Sequence, residues 1–511
     1  TEIYTLSLHD ALPIYWFADP ITWKFRADGI HCAISNAHGI AVYEAAPLSD
    51  EVTVEALFTP SAADRTGWAI ASVAIVEDEH NYWHLALVQT PPEQGCAPWV
   101  ELTEMHAGHW LAQHNLRQSV NEAPAGRAWA FGQPHRLTLS MDKAGVTGTI
   151  LAPDGQLILR RRFDFTAAAV TRGRPAVRIG GFRGTFSDIK AAWGAPVPAA
   201  PSAAIPPYAV ENAVAKVTDT ATGFFRVVRK PDNRWWAIDP LGRGTVLLGV
   251  DHVTFHGHWC EKLGYAPHGR KNKAKYPDKA VWEEETLARL KAWGFNMLGA
   301  GCDPALKHRG LIHTEFLNIG DHLASLGDEY DITPNEHRPC SSFPNVFHPD
   351  FEAFSRYRAR LKCTPHREDP WLFGYFIDNE LAWWGRGGLE HGLFDAVMKK
   401  GPAHTAKLAL RDFAARQAGN DLAAFNAFWG TRLDSFDAIL ALDALPNATP
   451  AQREVKRDFL RLVADRYFAV TTRAIRDADP NHLVLGARFA GTGGADPSVW
   501  EISGKSCEVV T

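Results

Sequence analysis

The sequence predicts a multidomain chain, in which an N-terminal all-β sandwich is followed by a C-terminal (β/α)8 TIM barrel that is incomplete, with about six strands present. Three observations favour this fold class: short apolar runs without helical periodicity before residue 195, a proline-rich stretch at 196–207, and strands that alternate with helices after it. A doubly wound sheet is the alternative for the second half. No glycine-rich phosphate turn follows its first strand, which argues against a nucleotide-binding fold.

Composition excludes several classes of protein. The 511 residues suffice for two or three domains, and 53 basic against 58 acidic residues leave a net charge of −5 without a basic block, so nucleic acid is not an expected partner. No apolar run reaches the roughly 18 residues of a membrane helix. The seven cysteines form no C-x-x-C pair, and neither a zinc knuckle nor a disulfide framework is expected.

Both ends of the sequence are unusual. Thr1–Ile14 resembles a translated sequencing adapter and has no basic region ahead of its apolar part, so we expect residues 1–15 to be non-native and the natural N-terminus to be missing. The last residues, Ser506–Thr511, are typical of the inside of a strand, and we expect the natural chain to continue. Localisation stays open, with a secreted or periplasmic bacterial protein favoured.

Residues 16–195 are expected to form the sandwich domain. Apolar residues alternate with polar ones or form short runs, and Pro153-Asp154-Gly155 is typical of a hairpin turn. The expected strands are Val52–Phe58, Trp68–Val76, Trp83–Val88, Arg136–Ser140, Val146–Leu151, Gln156–Arg161 and Ala176–Ile179. The segments NYWHLALV and HRLTLSMDKAGVTGTILAPDG, with RIGGF after them, resemble concanavalin-like or laminin-G-like sandwich domains. That resemblance implies carbohydrate binding through Trp83 or Trp99, and a structural appendage with core tryptophans is the alternative.

The linker at 196–207 holds five prolines, which suit neither a helix interior nor a central strand. After it, residues 208–511 show the alternation of a (β/α)8 domain. A capping box, Thr449 with Gln452, marks the start of the last long helix. The expected strands are Thr245–Val250, Phe295–Leu298, Thr314–Ile319, Leu372–Ile377, Leu483–Phe489 and Glu508–Val510, with helices at Lys279–Trp293 and Asp350–Leu361.

The segment Trp371–Trp384, WLFGYFIDNELAWW, carries the clearest chemical signal. An apolar strand runs directly into Asp378, Asn379 and Glu380, which places carboxylates at the carboxyl end of a strand. Apolar rings beside a carboxyl group disfavour its charged form and so suit a general acid. Glycoside hydrolysis needs such an acid together with a second carboxylate.

Asn-Glu at the end of the fourth strand resembles clan A of the glycoside hydrolases, and GYFIDNE followed by Trp resembles its agarase and β-galactosidase branch. Phe425–Thr431, FNAFWGT, is similar to the LN-x-x-WGT segment of those enzymes. The resemblance covers roughly residues 223–511. It implies that Glu380 is the general acid/base and that Asn379 binds the 2-hydroxyl group of the sugar, while Asp378 orients neighbouring groups.

Further candidates for substrate binding lie on other segments. Trp383 and Trp384 are expected either to stack on sugar rings or, for one of them, to pack under the loop. Arg488 in the fifth strand is expected to hold carboxylates or a hydroxyl group, with a structural ion pair as the alternative. Asp251 and His252 follow the first strand, and a sugar-hydroxyl site is favoured over a metal there because the spacing matches no zinc pattern.

Together these residues predict a retaining glycoside hydrolase for β-linked galactose-containing polysaccharide such as agarose, with neither a cofactor nor a metal. The alternatives are a clan A hydrolase of another β-glycan and a non-catalytic carbohydrate-binding protein. Neither Glu501 nor Glu508 lies at the carboxyl end of a strand, so the catalytic nucleophile of the resembled family is expected beyond Thr511. The expected partner is a polysaccharide or oligosaccharide, and no membrane partner is expected.

Overall fold

The structure is a computed structural model of the chain. It describes residues 2–5, 15–32, 38–63, 67–106, 109–110, 129–167, 169–198, 205–210, 213–260, 262–333, 342–383, 392–446, 448–490 and 496–511. The chain divides into two compact units, Thr1–Ala203 and Ala204–Thr511. Within the described ranges, no helix is long and apolar enough to cross a membrane.

The N-terminal unit consists of two antiparallel sheets. One has eight strands in the order β13-β12-β11-β6-β15-β4-β3, with β1 also paired to β15, and the other has seven in the order β10-β9-β8-β7-β14-β5-β2. The strands are β1 (Glu2–Thr5), β2 (Trp16–Phe17), β3 (Trp23–Arg26), β4 (Gly29–Cys32), β5 (His38–Tyr43), β6 (Val52–Ala63), β7 (Ala69–Asp78), β8 (Asn81–Gln89), β9 (Pro98–His106), β10 (His109–Trp110), β11 (His135–Asp142), β12 (Gly145–Leu151), β13 (Leu157–Asp164), β14 (Arg174–Gly180) and β15 (Phe182–Trp193).

Alternation along the strands builds the core of this unit. In β6, Val52, Val54, Ala56 and Phe58 are buried, and the residues between them are partly exposed. These side chains share one apolar cluster with residues of β7 and β8, so the core contains side chains from both sheets.

Two tryptophans of the sandwich were sugar-binding candidates. Trp83 is completely buried, and its Nε1 donates a hydrogen bond to the Val170 carbonyl oxygen at 2.9 Å, so it is a core residue. Trp99 in β9 is half-buried, and its ring centroid lies 5.6 Å from that of Trp68, which is 41% exposed.

The C-terminal unit combines three small sheets with most of the helices. Its strands are β16 (Ala213–Thr218), β17 (Arg226–Arg229), β18 (Trp235–Ile238), β19 (Arg243–Thr245), β20 (Gly249–Val250), β21 (Met297–Leu298), β22 (Ile312–Phe316), β23 (Asp331–Thr333), β24 (Phe343–Pro344), β25 (Leu372–Phe376) and β26 (Leu483–Val484). Its α-helices are α1 (Pro267–Lys275), α2 (Lys279–Ala292), α3 (Ile319–Ala324), α4 (Phe351–Cys363), α5 (Gly392–Met398), α6 (Thr405–Gln417), α7 (Leu422–Trp429), α8 (Pro450–Ala478) and α9 (Pro497–Ser506).

The predicted fold class, a sandwich followed by an incomplete (β/α)8 TIM barrel, is wrong. The parallel sheet has five strands in the order β20-β21-β22-β25-β26, and its two outer strands are not paired with each other, so among the described residues it is open. Its strand order does not reverse either, as a doubly wound sheet requires. A separate antiparallel sheet, β16-β19-β18-β17, and the pair β23-β24 complete the β-structure described for this unit.

Two local pairings explain the error. Thr245, expected in the first barrel strand, pairs with Ala237 in the antiparallel sheet, which leaves only Gly249–Val250 to the parallel sheet. The sixth strand expected at Glu508–Val510 does not form. Instead, Glu508 uses its carboxylate to accept from the Val484 amide at 2.9 Å and its own amide to donate to the Val484 carbonyl at 3.1 Å, and so occupies the edge of β26.

The predicted capping box is confirmed at the start of α8. Thr449 Oγ1 accepts a hydrogen bond from the Gln452 amide at 3.2 Å, and Gln452 Oε1 accepts from the Thr449 amide at 3.1 Å. Pro450 occupies the first helical position, where no amide hydrogen is needed. This cap matters because α8 carries Tyr467, which reaches the sheet edge described below.

Thr449→Ala should lower the free energy of unfolding of the C-terminal unit by about 1 kcal/mol, because the exposed side chain contributes mainly its capping hydrogen bond. Thr449→Ser keeps the acceptor and is the control, with a change of a few tenths of a kcal/mol at most. Urea unfolding followed by circular dichroism measures both. Equal stability of the alanine and serine variants would contradict the assignment.

Candidate functional site

The carboxyl edge of the parallel sheet gathers most of the predicted site residues. Parallel strands end at the same edge, so residues that follow different strands come together there. Asp251 follows β20, Gly299 follows β21, and Ile377–Glu380 follows β25. Beyond β26 the chain stays beside the end of β25 through an isolated parallel bridge between Asn379 and Arg488.

Arg488 connects two other candidates at this edge. Its Nη1 donates to Asn379 Oδ1 at 2.8 Å, and its Nη2 donates to Asp251 Oδ2 at 3.2 Å. The guanidinium carbon also lies 5.8 Å and 6.0 Å from the ring centroids of Phe316 and Phe376, which stack on each other at 5.1 Å. A planar fork of donors over aromatic rings has few alternative orientations, so Arg488 holds the amide and the carboxylate at a fixed spacing.

Asp251 is held from its other side by a tight turn. Its Oδ1 accepts from the Ala300 amide at 2.8 Å, and a Cβ atom at Gly299 would lie only 2.1 Å from that oxygen. Gly301 has a φ of +65°, and a Cβ atom there would lie 2.8 Å from His252 Nδ1. Glycine at position 299 therefore lets Asp251 keep its place, and glycine at position 301 does the same for His252.

His252 is exposed and also belongs to this loop. Its backbone has a φ of +57°, its amide donates to the Ala300 carbonyl oxygen at 2.8 Å, and its ring centroid lies 5.2 Å from that of His258. Trp259 follows with 66% of its surface exposed. The loop after β20 thus presents imidazole and indole rings to solvent beside Asp251.

Asp378 is completely buried and is bound by three donors. Its Oδ2 accepts from the Gly320 amide at 2.8 Å and from the Tyr467 hydroxyl group at 2.6 Å, and its Oδ1 accepts from the Asp321 amide at 3.0 Å. Burial raises the pKa of Asp378 to about 7, although the three hydrogen bonds act in the opposite direction. Burial and the adjacent carboxylate raise the pKa of Tyr467 well above its ordinary value.

Glu380 has an unusual backbone conformation. Its φ is +52°, in the left-handed region that L-residues rarely adopt, and its amide donates to the Arg488 carbonyl oxygen at 2.9 Å. The residue is half-buried. Its position is thus fixed through the backbone by Arg488 and, two residues earlier, by the buried Asp378.

The first of the two tryptophans after Glu380 is buried. Trp383 is 1% exposed, and its ring packs against Phe343, Phe468 and Phe489 at centroid distances of 4.8, 5.6 and 5.7 Å. Trp383 packs in the core behind the segment Asp378–Glu380, and its ring is not accessible to a sugar. Trp384 lies outside the described residues.

Some of the residues that build the site were not candidates from the sequence. Tyr467, Gly320 and Asp321 hold Asp378 but lie far from it in the chain. Tyr467 continues the buried face of α8 in steps of four residues from Phe459 through Val463, and a hydroxyl group on such a face was the available signal.

The FNAFWGT segment is the end of helix α7. Gly430 has a φ of +67° at the C-cap, and Asn426 Oδ1 accepts from Thr431 Oγ1 at 2.7 Å and from the Leu433 amide at 2.9 Å. The asparagine, glycine and threonine of this segment therefore have a structural reason to occur together, separate from any contact with a ligand.

Comparison with known proteins finds similar sequences but no matching family model. The chain is similar to two curated β-agarases. It is 25% identical over 345 residues to β-agarase B of Vibrio sp. (strain JT0107), and 28% identical over 321 residues to β-agarase A of the same strain. Each match covers 53% of this chain but only 34% and 32% of the relatives, so the chain spans about a third of their length.

Among solved structures, an exo-β-agarase has a TM-score of 0.48 with 17% sequence identity, over 94% of this chain and 78% of that one.

The raised pKa of Asp378 predicts a specific pH dependence of stability. Between about pH 3.8 and about pH 7 the unfolded chain has lost this proton while the folded chain keeps it. The contribution of Asp378 to the free energy of unfolding therefore falls across this window and is constant on either side of it. Relative to Asp378→Asn, which cannot titrate, the wild-type free energy of unfolding should therefore decrease between those two pH values. Urea unfolding at several pH values measures the difference.

Tyr467→Phe is the matched variant for this experiment. It removes a hydrogen bond that lowers the pKa of Asp378, so the decrease in stability should extend to higher pH than in the wild type. Tyr15→Phe, the same change in the N-terminal unit, should leave the profile unchanged. Parallel profiles for the wild type and Asp378→Asn would refute the coupling.

Proposed function

We propose that this chain is an agarase-like glycoside hydrolase whose substrate binds at the carboxyl edge of the parallel sheet. The observation that carries the proposal is the placement of Glu380 next to Asn379 at that edge, with Arg488 bound to both residues and to Asp251. The similarity to two β-agarases supports the same activity. The substrate class proposed is β-linked galactose-containing polysaccharide, such as agarose.

Glu380 is proposed as the general acid. In its protonated form it donates a proton to the glycosidic oxygen as the bond to the anomeric carbon breaks, which lets the sugar leave as a neutral alcohol. As a carboxylate it then accepts a proton from the water that completes the reaction. The hydrogen bond from the Glu380 amide to the Arg488 carbonyl oxygen fixes the backbone from which the carboxyl group extends toward the sugar.

Asn379 and Asp251 are proposed to bind sugar hydroxyl groups. Arg488 fixes the Asn379 amide through its Oδ1, and the same guanidinium fixes Asp251 through its Oδ2. A contact to the 2-hydroxyl group strengthens as positive charge develops at the anomeric carbon, so Asn379 contributes more to the transition state than to the ground state. His252 is exposed on the same loop as Asp251 and is proposed to contact the substrate there.

The proposed mechanism is retaining and therefore needs a second carboxylate about 5.5 Å from Glu380. Two glutamates near the end of the sequence do not fit. Glu501 is exposed on α9, and Glu508 pairs with Arg476 and accepts from the Val484 amide at 2.9 Å. Neither is proposed as the nucleophile.

Glu380→Gln tests the assignment. Glutamine keeps the size of the side chain but cannot donate the proton, so in an enzyme that also supplies the second carboxylate the release of reducing ends from agarose should fall by at least about 100-fold. Binding of agaro-oligosaccharides, measured by calorimetry, should change little. Glu501→Gln is the control and should hydrolyse agarose like the wild type.

Full activity of the Glu380→Gln variant would contradict the assignment of Glu380 as the general acid. Hydrolysis of a glucan or mannan in preference to agarose would instead favour a hydrolase of another β-glycan. If oligosaccharides bind but no reducing ends are released from any of these polymers even when the second carboxylate is supplied, the protein is a carbohydrate-binding protein.

A further inference from the structure

A cluster of histidine and carboxylate side chains lies at the amino edge of the parallel sheet, opposite the edge that holds Glu380. His308 precedes β22, His313 is the second residue of that strand, and Asp369 lies shortly before β25. One nitrogen of each histidine and one carboxylate oxygen of Asp369 all lie within 4.8 Å of one another. The ligand types and their spacing are those of a metal site.

His313 faces a carboxylate with each ring nitrogen. Nδ1 lies 3.1 Å from Glu315 Oε1, and Nε2 lies 3.0 Å from Asp369 Oδ2. His308 Nε2 approaches the same Asp369 oxygen at 2.7 Å. A cation between these atoms would take one lone pair from each of the two histidines and one from Asp369.

We propose that His308, His313 and Asp369 bind a structural zinc ion and that His366 is its fourth ligand. His366 Nδ1 lies 3.9 Å from Asp369 Oδ2, on the short helical turn Thr364–His366. Three imidazole nitrogens and one carboxylate oxygen are a ligand set that suits tetrahedral zinc. Zinc–ligand bonds of about 2.1 Å place the ligand atoms about 3.4 Å apart, so His308 and His313 would move away from Asp369 Oδ2 and His366 would move closer to it, each by less than about 1 Å.

The surrounding residues orient the ligands as in known zinc sites. Glu315 accepts from His313 Nδ1, so the Nε2 lone pair points toward Asp369, and Lys307 pairs with Glu315 on the other side. The Trp371 amide donates to Asp369 Oδ1 at 3.0 Å and leaves Oδ2 for the metal. A carboxylate behind a histidine ligand typically fixes its tautomer and raises its basicity.

The site has a route from solvent. The side chains of His308 and His366 are 27% and 26% exposed, and those of His313 and Asp369 are 1% and 0% exposed. The ion would enter from the histidine side and would join the loop before β22 to the turn before β25. Because this is the edge opposite Glu380, the proposal does not depend on the proposed function.

Zinc titration of the full chain tests the site. After treatment with a chelator and dialysis, isothermal calorimetry with zinc sulfate should show one equivalent bound, and zinc should raise the melting temperature. His308→Ala changes a partly exposed ligand and should abolish the stoichiometric binding. Glu315→Gln keeps all four ligands and should weaken the affinity by about 10- to 100-fold. His258→Ala, which removes one of the exposed pair His252 and His258, is the control and should bind zinc like the wild type.

Three results would overturn the proposal: no stoichiometric binding to the wild type, unchanged binding to His308→Ala, or loss of binding in His258→Ala. The first would leave the cluster as a set of hydrogen bonds between the histidines and Asp369. If His308→Ala does not fold, cobalt substitution of the wild type decides the question. The intense visible absorption of four-coordinate cobalt supports the site, and the weak spectrum of six-coordinate cobalt refutes it.

Discussion

The buried carboxylate of Asp378 is the interaction on which the carboxyl edge of the sheet depends. Its three hydrogen bonds connect the end of β25 to the first turn of α3 and to the middle of α8. Removing one of those donors leaves a buried carboxylate partly unsatisfied, which is more costly than losing a surface contact. Asn379 and Glu380 follow directly, so the chemistry proposed for them rests on a group that never meets the substrate.

The two edges of the parallel sheet use ionisable residues in different ways. At the carboxyl edge, Arg488 leaves Asn379 and Asp251 partly exposed while it orients them. At the amino edge the carboxylates are buried: Asp479 accepts from the Tyr375 hydroxyl group at 2.6 Å and from His482 Nδ1 at 2.7 Å. The first arrangement leaves side chains accessible to a ligand, and the second joins the starts of neighbouring strands.

The sequence predicted what depends on neighbouring residues and missed what depends on distant ones. The apolar run before Asp378 predicts strand β25, and the pair Thr449 and Gln452 predicts the start of α8, because both signals are local. The barrel prediction failed because strand partners are chosen across the chain: Thr245 pairs with Ala213 in another sheet, and Glu508 binds Val484 through its side chain. Tyr467 was missed for the same reason, since nothing near Asp378 in the sequence indicates it.

The left-handed backbone at Glu380 lowers the stability of the fold, whereas the side chain at this position is proposed to transfer the proton. A φ of +52° suits glycine better than glutamate, so the chain carries strain of the order of 1 kcal/mol at this position. Selection for stability alone would replace the side chain, and an evolving copy released from its substrate would lose the carboxylate early. Retention of glutamate at this strained position among descendants of this chain is what the proposed proton transfer predicts.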